Sequence, residues 1–98
     1  MDTQLTARLL LYPTALGGRH SPIADGYLCN CFAQKDKASG GWTARPDLKA
    51  GPLASGQERD VTLTFLTPEG VAAINNVRQF YILDGDRFVG EAISLGDA

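Results

Sequence analysis

Phe80-Tyr81-Ile82-Leu83-Asp84-Gly85-Asp86-Arg87-Phe88-Val89-Gly90-Glu91-Ala92 reads as two apolar runs around an Asp-Gly pair. Such a pair is the strongest short-range sign of a β-hairpin, because Gly takes the positive φ that the tight turn demands. The second run extends to Leu95, and Gly90 inside it predicts a bulge or bend where a barrel strand curls. Upstream, Val61-Thr62-Leu63-Thr64-Phe65-Leu66 alternates with period two, with Val61, Leu63 and Phe65 on one face. Pro68-Glu69-Gly70 reads as the turn that ends this strand, and Val71 to Val77 as one helical turn, too short to anchor a fold.

Working outward, Leu5 to Tyr12 alternates as well, placing Leu5, Ala7, Leu9 and Leu11 on one face. A turn-rich stretch from Pro13 to Gly26 separates it from a strand at Tyr27 to Ala33. Ser39-Gly40-Gly41 reads as a hairpin turn, Trp42 to Arg45 as the returning strand, and Pro46 to Gly56 as loop. Six short strands joined by turn residues predict an all-β domain, a small barrel or sandwich. One domain is expected over residues 1–98, with its ordered core about 5–95.

The chain carries 9 Lys and Arg against 11 Asp and Glu, a net charge of −2, which argues against a strongly basic nucleic-acid clamp. Its hydrophobic share of 44% is that of a globular domain rather than a disordered one. Leu9-Leu10-Leu11 is too short for a membrane span, and Met1-Asp2-Thr3-Gln4 has no basic leader, so a cytoplasmic protein without membrane contact is expected. Cys29 and Cys31 share one face of a strand, in poor geometry for a disulfide. Free thiols are therefore expected. His20 is the sole histidine, too few ligands for a zinc site, so no metal is expected.

Catalytic patterns fare poorly. Ser21 adjoins His20 but points away from it in an extended segment, and no GxSxG elbow follows a strand. Gly17-Gly18-Arg19 lacks the spacing and lysine of a phosphate loop. Asp84 and Asp86 sit where turn chemistry explains them. The chain is expected not to be an enzyme and to need no cofactor. A phosphate-binding surface would draw on Arg19 and His20, or on Arg45, Lys35, Lys37 and Lys49 near the hairpin.

One longer pattern changes this weighing. Gly17-Gly18-Arg19-His20-Ser21-Pro22-Ile23-Ala24-Asp25-Gly26-Tyr27 resembles the stretch that opens domain 3 of the translation elongation factor Tu family, where Gly-Gly-Arg-His-Thr-Pro precedes a Gly-Tyr. Gly56, the Val-Thr-Leu-Thr strand, Pro68 and the Phe80 to Ala92 hairpin follow in the family's order. The likeness spans about Leu5 to Leu95. It implies a six-stranded antiparallel closed β-barrel. In the full factor that barrel helps hold the aminoacyl-tRNA T stem and the exchange factor. The factor's GTPase domain has no counterpart in these 98 residues, so no GTP hydrolysis is expected.

Residue by residue, the resemblance places Arg19, His20 and Gly85 near the family's RNA-contacting surface, while Asp84 stands where the family has Glu and Asn30 where it has Gln, both keeping hydrogen-bonding capacity; these five are the expected binding residues. Leu28 and Leu83 stand where the family has arginines, Cys29 where it has proline, and the loop from Pro68 to Phe80 is about three residues longer. Losing two cations weakens a phosphate surface, and two leucines make it stickier for protein. The expectation is thus a non-catalytic binding module with a protein partner linked to translation. The alternatives are RNA (tRNA-like) binding through the Arg19-His20 loop, or an immunity or decoy protein that mimics the factor. A homodimer is expected if a lost domain interface leaves apolar surface bare.

Overall fold

The computed structural model describes residues 3–97. Strands β1 (Gln4–Leu11), β2 (Cys29–Phe32), β3 (Gly41–Pro46), β4 (Glu58–Phe65), β5 (Gln79–Asp84) and β6 (Arg87–Asp97) are joined by one helix, α1 (Pro68–Val77). They form a closed barrel in the order β1-β4-β3-β2-β5-β6, with every neighbouring pair antiparallel. Closure removes the free sheet edges that would otherwise invite pairing with another chain. No helix among the described residues is long and apolar enough to cross a membrane.

The alternation read from the sequence is the barrel's inside and outside. Leu5, Ala7, Leu9 and Leu11 of β1 and Val61, Leu63 and Phe65 of β4 are buried in one core with Phe80, Ile82, Val89 and Ala92. Each large side chain withdrawn from water there stabilises the fold by about 1.5–3 kcal/mol. Small residues, Ala44, Cys29 and Cys31, are fully buried in the same core. Both thiols are free and buried.

The hairpin after Leu83 pairs Asp84 with Arg87, leaving Gly85-Asp86 as a two-residue turn. Gly85 has φ +65° while Asp86 stays at negative φ, as in a type II′ turn. The ladder then skips a residue: Leu83 pairs with Phe88 and Ile82 with Gly90, so a bulge stands where Gly90 predicted one.

Two lids close the barrel. At one end Ile23 and Leu53 exchange both backbone hydrogen bonds at 2.9 Å and seal the core from the loop side. At the other end α1 lies across the mouth with Gly70, Val71 and Ile74 buried. This helix corrects the expectation of a single turn at Val71 to Val77. Pro68 and Gly70 read as a turn, but Pro also suits the first position of a helix. Thr67 caps it, with Oγ1 accepting the Gly70 N–H at 3.3 Å. The β2–β3 connection also differs in detail: a short 3₁₀ turn, Lys37–Ser39, precedes Gly40.

Candidate functional site

Arg19 and Asp84, 65 positions apart, meet at the loop end of the barrel with Nη1 and Oδ2 at 2.6 Å. The sequence around each explains why. Gly18 packs so closely under Tyr12 that a Cβ there would lie 1.8 Å from the Tyr12 carbonyl oxygen, so only glycine lets the loop turn back at this point. The turn delivers Arg19 toward the β5–β6 hairpin, where Asp84 is the last residue of β5.

The guanidinium is held on every side. Nε donates to the Ser21 carbonyl at 3.1 Å and Nη2 to Ser21 Oγ at 3.2 Å. The group also sits 4.9 Å from the centre of the Tyr27 ring. The Arg19 carbonyl accepts hydrogen bonds from the hydroxyls of Thr14 and Ser55. Arg87 Nη2 reaches the Gly18 carbonyl at 3.4 Å. Arg19 is therefore a brace between loop, hairpin and aromatic ring, with its side chain 19% exposed. Tyr27, Thr14, Ser55 and Arg87 are the residues sequence reasoning missed. Tyr27 and Arg87 carried a signal, their places in the Gly-Gly-Arg-His motif and in the Phe80 to Ala92 hairpin.

Of the expected site residues, Arg19, Asp84 and Gly85 are brought together. His20 is exposed beside them in the chain. Asn30 lies on the outer face of β2 opposite Leu83, one residue from Asp84, and its Oδ1 accepts the Thr43 hydroxyl at 3.4 Å. Leu28 is 57% exposed, as a contact surface requires. Leu83 corrects the expectation of a second exposed leucine: it is buried. It stands between Asn30 and Phe88 in the cross-strand row, next to an outer aromatic cluster in which Phe32 and Phe88 meet edge to face at 5.6 Å. The cations also separate. Arg45 and Lys49 share a cleft, while Lys35 sits 4.6 Å over the Tyr12 ring on another part of the barrel.

Both free thiols are buried, and burial favours their protonated form. Burial pushes Cys29 up to about 12, with Arg19 pulling the other way and Asp84 adding to the rise. Cys31 is raised well above the ordinary value by burial and by Cys29. A thiol so placed stays protonated near neutral pH and is inert. Burial, followed by Asp84 and Cys29, also raises the Tyr27 phenol. His20 is outside while both thiols are sealed within. Among the described residues no three His, Cys, Asp or Glu side chains gather as a metal site. What the corner offers is a hydrogen-bonded loop carrying exposed Leu16, His20 and Leu28. No protein-family model matches this chain, and no curated protein matches it.

Proposed function

We propose that this chain is a non-catalytic binding module whose loop end docks a protein partner linked to translation. The resemblance to domain 3 of elongation factor Tu supplies the translation context. The observation that favours protein over RNA is the engagement of Arg19. Its guanidinium already serves Asp84 and Ser21. A phosphate would have to compete with the paired Asp84 carboxylate to reach it, which weakens the electrostatic attraction that drives RNA binding. Beside it, Leu16 and Leu28 are 74% and 57% exposed on a loop fixed by hydrogen bonds. Apolar side chains presented rigidly bind protein with little ordering cost.

The test sets the two partner classes against each other. Capture from a cell extract should recover a translation-linked protein with the wild type and lose it with Leu28→Glu. Titration with tRNA at low salt, where electrostatic attraction is strongest, should show no saturable binding. Saturable tRNA binding that weakens steeply with added salt, together with no protein lost on Leu28→Glu, would overturn the proposal.

A further inference from the structure

A polar cleft of about 410 Å³ opens on the outer face of β1, β4 and β3, lined by residues that include Asp25, Arg45, Asp47, Lys49, Thr62 and Thr64. Its size falls within the roughly 300–1,000 Å³ typical of small-molecule sites. It is separate from the Arg19 corner and stands or falls independently of it.

The sheet register sorts the lining into two rows. Arg45 and Gln4 are both Cα partners of Thr64, so these three form one row. Thr62 is the next outward residue of β4, about 7 Å along the strand. Its carbonyl accepts the Asp47 N–H at 2.9 Å, which places Asp47 in the second row. Asp25 joins there through the Leu48 N–H, which donates to its Oδ1 at 3.1 Å. Asp47 Oδ1 accepts the Lys49 N–H at 3.1 Å. Each carboxylate spends only Oδ1 in these bonds and keeps Oδ2 for a ligand. Arg45 makes no hydrogen bond or ion pair with the described residues.

Charge then decides the ligand. Two cations and two carboxylates line the cleft, so a simple anion or a simple cation meets no net attraction. A ligand with both charges satisfies both rows. An extended dipeptide spans about 7 Å, the separation of the rows. From this geometry we infer that the cleft binds a small zwitterion of dipeptide length, its carboxylate on Arg45 and Thr64 and its ammonium on Asp25 and Asp47.

Titration of the ¹⁵N-labelled protein with glycylglycine up to roughly 50 mM, well above a millimolar Kd, tests this. The amides of Asp47, Lys49, Thr62 and Thr64 should shift saturably. N-acetylglycine and glycylglycinamide, each lacking one charge, should bind at least about fivefold more weakly. Arg45→Gln and Asp47→Asn should each weaken glycylglycine by about fivefold or more. Asparagine keeps an oxygen for the Lys49 N–H, and a dispersed spectrum shows that the variant is folded. Equal binding of the singly charged analogues, no saturable shift, or unchanged affinity in folded Arg45→Gln would overturn the inference.

Discussion

Arg19 braces the loop end, because its three guanidinium nitrogens bond Asp84, the Ser21 carbonyl and the Ser21 hydroxyl. Replacing it with alanine removes the hydrogen bonds to Asp84 and Ser21 and the packing on Tyr27 together. Arg19→Ala is expected to lower stability by about 1–3 kcal/mol, read as a fall in the urea midpoint at unchanged slope. Arg19→Lys should recover only part, since a compact ammonium cannot serve a carboxylate and a carbonyl as a planar fork does. The thiols set the pH response. Cys29 rises from the ordinary 9.0 to about 12 in the fold, so the native state keeps a proton that the unfolded chain gives up. The stability this provides is complete below pH 9 and is lost as pH climbs toward about 12. Cys31, Tyr12 and Tyr27 are raised too and add in the same direction. Urea midpoints should therefore fall above about pH 9 as pH climbs toward about 11, and less steeply in Cys29→Ala; a flat wild-type profile would refute this. None of this pairing was legible in the sequence. The period of a strand says which side faces inward, but not that position 19 meets position 84.

At the scale of elements, the strands were legible and the helix was not, and one cause serves both. Period-two alternation survives in β1 and β4 because their outer faces remain polar, with Thr6, Arg8, Thr62 and Thr64 outward while Leu5, Ala7, Val61 and Leu63 are buried. Helix α1 hid behind Pro68 and Gly70, which suit a turn as well as a helix start. Gly70 in fact lies where a Cβ would come 3.0 Å from the Phe65 ring and 3.3 Å from Trp42, so the helix N-terminus is pressed onto the barrel mouth. Leu83 departs from its expected exposure for a related reason. Its outward position on β5 implied exposure, yet the outer aromatic cluster stands beside it. The Thr67 cap predicts its own test: Thr67→Ala should cost about 1 kcal/mol in thermal or urea unfolding, and Thr67→Ser should restore most of it. Equal stability of Thr67→Ala and the wild type would show that packing alone sets the helix start.

For the whole molecule, the closed barrel was legible only through the order of the motifs. Alternation alone left a sandwich open, because both architectures bury one face of every strand. Closure by β1 pairing with both β4 and β6 decides it. The molecule still exposes Val77, Ile93 and Leu95 near the C-terminal end of α1, where the Ser94 N–H donates to the Arg78 carbonyl at 2.7 Å. If this patch joins two copies, light scattering at high concentration should give a dimer mass that Ile93→Glu returns to a monomer. A monomer mass in the wild type would count against self-association. The central claim concerns the opposite end, and site-specific photo-crosslinking in cell extract tests it most directly. A crosslinker at Leu28 should give one discrete adduct with a translation-linked protein, and a crosslinker at Glu69, on the helix-lidded end, should give none. RNA adducts at Leu28, or the same adducts from both positions, would contradict it.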